Sequence, residues 1–263
     1  MTPNLFQALL QELIDENPFA IRAALRILKV EFTEEVPTLA VTCETKPRLL
    51  VNLEFLAEHA KTEQQVKAVI CHEFLHVLLR HTEGRQPLTP TRHLAFDAVI
   101  NAIIHRQFGG GYSSMMADYY ANAKGLQKLL RPMTTRERNW VQSKSDQSPP
   151  WAIAWEALYQ GRLIADDIES LAETLSGFFL KGQGGKGNGR GSPFTLEAGS
   201  LDAANLLGNH EDLGKEAEGE LATALEGALK QMNGHGIWRS PGDRGIGGPD
   251  PTATLPRTVP PPK

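Results

Sequence analysis

A chain of 263 residues, 41% hydrophobic and 22% charged, can bury one sizeable core with appendages and has the composition of an ordinary globular protein. Its net charge of −4 gives no general attraction to nucleic acid, which removes polyanion binding as the default reading. No basic, apolar leader opens the chain at Met1 to Phe6 and no apolar run reaches the ~18 residues of a membrane span, so a cytoplasmic protein without a membrane segment is expected.

In chain order, Leu5, Leu9, Leu10, Leu13 and Ile14 recur at helical spacing, and Phe19 to Leu28 continues that style after Pro18, predicting two short helices. Thr38 to Thr42 and Leu49 to Asn52 are rich in β-favouring residues around the polar Glu44-Thr45-Lys46-Pro47, the pattern of a small antiparallel hairpin. Leu53 to His59 then reads as a helical turn. Thr62 followed by Gln65 matches a capping box, and Val66, Val69, Ile70 and Leu78 mark an amphipathic helix to about Thr82. Gly84, Pro87 and Pro90 interrupt it. Thr91 can cap a second helix through Leu94, Ala98, Ile100, Ile103 and Ile104, ended by Gly109 to Gly111.

Helical patterns resume over Trp151 to Tyr159 and Ile164 to Phe179. The Gly182 to Ser192 stretch has linker composition and lacks the Gly-Lys-Ser/Thr ending of a phosphate-binding loop. A last helix is expected over Lys215 to Met232, and Ser240 to Lys263 has the Pro- and Gly-rich composition of a tail. The expected organisation is a core over 1–135, a helical extension over 136–180, a glycine-rich linker over 181–200, a helical segment over 201–235 and a tail over 236–263. Only Cys43 and Cys71 are present, too few for a disulfide framework or a sulfur-rich zinc site, and they are expected as thiols in a reducing compartment rather than as a single bridge.

The chemistry centres on His72, Glu73 and His76. Residues four apart in a helix share a face, so both imidazoles can aim a nitrogen at one zinc ion, and Glu73 is placed to take a proton from water acidified by the metal. With eight histidines in the chain, random shuffling yields this H-E-x-x-H pattern only roughly 0.02 times. A solvent-facing histidine pair is the bland alternative, against which stands the apolar context of Val69-Ile70-Cys71 and Val77-Leu78-Leu79.

A catalytic zinc site takes three protein ligands and one open position, so a third ligand is required. The second helix offers His93, Asp97, Asn101 and His105 in one i, i+4 row. If the two helices form an antiparallel hairpin with ends near Thr82 and Thr91, His76 and Asp97 each lie about 9 Å from the turn, with His93 about 6 Å nearer to it. Asp97 is therefore the expected third ligand and His93 the reserve, while Asp97 orienting a ligand histidine is the bland reading. Asn101 reads as a hydrogen-bonding support, His81 as a surface histidine, and Cys71 as a buried thiol. Tyr112, Tyr119 and Tyr120 are packing residues that offer phenols for an oxyanion, and Leu49 to Asn52 offers a strand edge to an extended peptide.

Three stretches, Leu50-Val51-Asn52-Leu53-Glu54-Phe55-Leu56, Cys71 through His81, and Ala95-Phe96-Asp97-Ala98-Val99-Ile100-Asn101, make the segment from Pro37 to about Phe108 resemble the bacterial metallopeptidase domain usually found N-terminal to a von Willebrand factor A-like domain. That resemblance implies an α+β, mostly helical fold with a minimal zincin-like core, zinc on His72, His76 and Asp97, Glu73 as the base, and hydrolysis of a protein or peptide. It also implies a MoxR-type ATPase as a partner. Such proteins continue into the second domain where this chain runs from Met232 into Pro-rich residues, so the expectation is either a separately encoded von Willebrand factor A-like partner or a protein that works without one. A non-catalytic zinc-containing scaffold is the competing expectation, and a metal-dependent amidase acting on a non-peptide substrate a weaker one, because the motif specifies water activation and not the scissile bond.

Overall fold

The computed structural model describes residues 1–16, 25–26, 28–79, 81, 90–143, 150–163, 167, 170, 219–224 and 226–227. The expected helices over Phe19 to Leu28, Ile164 to Phe179 and Lys215 to Met232 fall largely outside the described residues, and the glycine-rich linker and the tail fall wholly outside them. What is described is α+β and mostly helical, with one small mixed sheet. Among the described residues, no helix is long and apolar enough to cross a membrane.

Helix α1 spans Pro3–Glu16 and buries Phe6, Leu9, Leu10, Leu13 and Ile14, the stripe that its spacing predicts. Strands β2 (Leu39–Val41) and β3 (Arg48–Val51) form the expected antiparallel pair, with Ala40 opposite Leu50. A further strand, β1 (Lys29–Phe32), pairs parallel with β3, so the sheet order is β1-β3-β2. β3 is therefore central. Its backbone is paired on both sides, which removes the peptide-accepting edge expected at Leu49 to Asn52; the sheet edges belong to β1 and β2.

Asn52 ends β3 and starts helix α2 (Leu53–His59) by accepting from the backbone N–H groups of Glu54 and Phe55 at 3.0 and 3.1 Å. Its Nδ2 donates to the Val36 carbonyl at 2.9 Å, tying the helix start to the sheet. Helix α3 (Glu63–Leu78) begins at Thr62, whose Oγ1 accepts from Gln65 N at 3.2 Å. The reciprocal bond differs from an ordinary capping box: Gln65 Oε1 accepts from Lys61 N, one residue earlier, at 2.6 Å.

Every side chain of α3 from Gln65 to Leu78 is buried, so this is the central helix and not an amphipathic one. Helices α1, α4 and α5 and strand β2 all pack on it. Val69, Ile70 and Leu78 are fully enclosed, each stabilising the fold by about 1.5–3 kcal/mol. Lys67 reaches Glu12 and Glu16 at 3.1 and 3.0 Å, which brings its ammonium out to α1 and keeps the central helix free of an unpaired cation. The helix stops at Leu78, before the expected Thr82, because the chain turns there: His81 N–H bonds back to the His76 carbonyl at 2.9 Å, the six-to-one bond of a Schellman ending.

Helix α4 runs from Pro90 to Phe108, so Thr91 is inside its first turn and not its cap; proline suits the first helical position because its missing N–H has no partner there. Gly109, at φ 79°, ends α4, but Gly110 and Gly111 open a new helix, α5 (Gly110–Tyr119), rather than closing the segment. A 3₁₀ helix (Gly125–Leu130), α6 (Thr135–Ser143) and α7 (Pro150–Tyr159) follow. The 3₁₀ helix and α7 both pack on α4, and Trp155 and Leu158 join the same core as α3 and α4. Cys43 and Cys71 are buried thiols with no disulfide between them.

Candidate metal centre

His72 and His76 lie one turn apart on α3, and Asp97 faces them from α4. His76 Nε2 is 3.2 Å from His72 Nε2 and 3.2 Å from Asp97 Oδ1; His72 Nε2 is 3.8 Å from the same oxygen. All three side chains are buried, at 0, 2 and 0% exposure for His72, His76 and Asp97, so no bulk water screens them. The hairpin count that expects Asp97 beside His76 assumes the wrong helix ends, since α3 stops at Leu78 and α4 begins at Pro90. Their nearness stands on the distances.

The donor chemistry fits a cation. Asn101 Nδ2 donates to the Leu130 carbonyl at 2.9 Å, which leaves its Oδ1 facing His72 Nδ1 at 2.9 Å. An amide oxygen only accepts, so the proton sits on Nδ1 and His72 Nε2 presents a lone pair to the centre. Two imidazole nitrogens and a carboxylate oxygen then converge within 4.8 Å of one another. Ligands held about 2.0–2.1 Å from one zinc ion at tetrahedral angles are separated by about 3.3 Å, close to the two shorter contacts. The three residues can therefore hold a metal ion, and Asn101 supplies the outer hydrogen bond that a ligand histidine uses to fix its orientation.

Glu73 follows His72 and is 3% exposed; its Oε1 is buried without a hydrogen-bond partner among the described residues. Burial, then the charge of Asp97, raises the Glu73 pKa well above the ordinary carboxylate range, and burial alone does the same for Asp97. Two enclosed carboxyl groups, one of which feels the charge of the other, favour a bound cation, which would lower both proton affinities.

His93, the reserve ligand, is one turn before Asp97 on α4, with Nε2 3.8 Å from Asp97 Oδ1. It stands outside the trio of mutually close donors. His81 is not a surface histidine. Its ring stacks on Phe96 with centroids 3.9 Å apart, lies 5.4 Å from the His76 ring, and is held neutral by burial, with a pKa lowered to about 3. Its capping position puts it there, since the turn that closes α3 folds it back over His76. His105 lies away from the centre, 2.7 Å from Ser113 Oγ.

The three tyrosines are engaged elsewhere. Tyr112 donates to Glu16 at 3.3 Å, Tyr119 packs edge-on against Phe55 and His59, and Tyr120 is buried in the core. Cys71 is a buried thiol under the electrostatic influence of Lys67 and Glu16, and burial raises its pKa to about 12. Compared with known protein families, with characterised proteins and with solved structures, the chain shows no significant match.

Proposed function

We propose that this protein is a zinc-dependent metallopeptidase with a minimal zincin-like core, in which His72, His76 and Asp97 hold the metal and Glu73 is the general base. The observation that carries this reading is the convergence of the His72 and His76 nitrogens with the Asp97 carboxylate beside a buried Glu73. When bound, zinc supplies a Lewis acid that acidifies water toward neutral pH and polarises a carbonyl. His72 keeps its lone pair inward because Asn101 holds the proton on the far ring nitrogen. Glu73, whose proton affinity is raised by burial and by Asp97, receives the proton of the attacking water and passes it to the leaving amine. An extended substrate has two sheet edges to join, of which β2 lies against the site helix. The reading keeps the protein in the cytosol, acting on a protein or peptide, with a separately encoded von Willebrand factor A-like protein and a MoxR-type ATPase as partners.

A second reading has an observation of its own. His72, Glu73, His76 and Asp97 are each no more than 3% exposed, as suits a closed, structural metal site in a scaffold that recruits an ATPase or a von Willebrand factor A-like protein. Glu73→Gln separates the two. The peptidase reading expects the variant to keep about one zinc per chain and lose hydrolysis of an unfolded protein substrate. Hydrolysis at the wild-type rate in that variant overturns the mechanism.

A further inference from the structure

We propose that Arg131 and Trp155 act as positioning residues for His72, through the Leu130 carbonyl and the Asn101 amide. The proposal rests on the metal-holding reading of the site. The His72 ring can present either nitrogen to the centre unless something fixes its proton, and Asn101 does so only if its own amide is oriented. Leu130 provides that orientation. As the last residue of the 3₁₀ helix it has a carbonyl with no partner further along the helix, and that oxygen accepts from Asn101 Nδ2 at 2.9 Å. Rotating the amide by half a turn would set oxygen against oxygen, so the Leu130 carbonyl decides which atom His72 meets.

Arg131 holds that carbonyl in place. Its backbone is extended, at φ −139° and ψ 156°, and successive carbonyls of an extended chain point to opposite sides. The Leu130 oxygen points to Asn101 on α4, and the Arg131 oxygen accepts from Trp155 Nε1 on α7 at 2.6 Å. The Arg131 side chain locks the residue between them. Its Nη1 and Nη2 pair with Glu137 at 2.8 and 2.7 Å, its Nε donates to the Tyr120 carbonyl at 3.1 Å, and its guanidinium lies over the Trp155 ring at 5.1 Å. A helix outside the motif thus reaches a metal-donor atom through three hydrogen bonds, Trp155 to Arg131, Asn101 to Leu130, and His72 to Asn101, each of 2.6–2.9 Å.

The readout is the protonation site of the His72 ring in metal-free full-length protein, taken from the ¹⁵N shifts of its two nitrogens, alongside zinc affinity. Wild type carries the proton on Nδ1. Asn101→Ala mixes the tautomers and weakens zinc binding about 10–100-fold. Trp155→Phe keeps the buried ring but loses the N–H, and is expected to mix the tautomers partially and weaken zinc about threefold to tenfold. The His105 ring, held by Ser113, stays as in wild type, and Trp140→Phe, on a side chain 43% exposed, changes neither readout. A folded Trp155→Phe with His72 still on Nδ1 and wild-type zinc affinity overturns the proposal, as does an equal effect of Trp140→Phe. Should Trp155→Phe fail to fold, Arg131→Lys is read by the same criterion. Absence of zinc binding in wild type would sink the metal reading alone, because the tautomer of metal-free His72 still decides the positioning.

Discussion

Replacing Glu137 by Gln tests the clamp that fastens α6 and α7 to the core. Glu137 accepts from both Arg131 Nη atoms, from Lys128 Nζ at 3.1 Å, and from the N–H and hydroxyl of Thr134 at 3.0 and 2.8 Å. Its partner Arg131 has a side chain only 6% exposed, whereas Glu137 is 21% exposed. Removing the negative charge strands a buried guanidinium, a change that costs about 3–5 kcal/mol for fully buried pairs; partial exposure of Glu137 puts the expectation near 3 kcal/mol. At about 2–4 °C per kcal/mol, the unfolding midpoint at pH 7 should fall by about 6–12 °C. The pH dependence has a definite sign. Burial pushes the Glu137 carboxyl upward, but the hydrogen bonds from Arg131, Thr134 and Lys128 outweigh it and hold the group well below the usual carboxylate range. A depressed carboxylate contributes stability that is present above its unfolded value and is lost as pH falls toward the folded one. Thermal melts followed by circular dichroism should therefore show the gap between wild type and Glu137→Gln full at pH 7 and narrowing below about pH 4.5. A gap under about 1 kcal/mol at pH 7 would place the pair among ordinary surface ion pairs and refute the reasoning.

Zinc at about 100 times its dissociation constant should stabilise the wild type by about 2.7 kcal/mol, raising the midpoint by about 5–11 °C, while Asp97→Asn gains nothing comparable under calorimetry. Cys71, buried and with its thiol pKa pushed up to about 12, should resist iodoacetamide at pH 8 in the folded protein and react once denaturant is added, as mass spectrometry of the labelled peptides would show.

The grouping of the candidate donors is largely legible because its central pair needs only helical spacing: His72 and His76 face one way in any helix that contains them. The helix ends expected at Thr82 and Thr91 lie four residues and one residue from those at Leu78 and Pro90, and these unequal offsets leave Asp97 within reach of His76. His81 escaped because its place depends on the turn after Leu78, a feature of backbone geometry that the spacing of side chains does not encode. β1 escaped because Val30 and Phe32 give too short an alternation to read and its partner is β3, some twenty residues away, joined in parallel. Two helices start on signals that lie in local backbone and side-chain detail. Thr134 and Glu137 exchange the reciprocal bonds of a capping box, which marks the start of α6, and of the three glycines Gly109 to Gly111 that read as a helix end, Gly109 alone adopts a positive φ. The chain of contacts from Trp155 to His72 lay beyond the sequence altogether, since it joins α7, the 3₁₀ helix and α4 through backbone carbonyls.

Metal analysis of the purified full-length protein beside Asp97→Ala and His93→Ala tests the central claim most directly. Wild type and His93→Ala should each carry about one zinc per chain, and Asp97→Ala should lose it. A wild type without zinc, or loss of zinc in the His93 variant alone, would contradict a centre built on His72, His76 and Asp97.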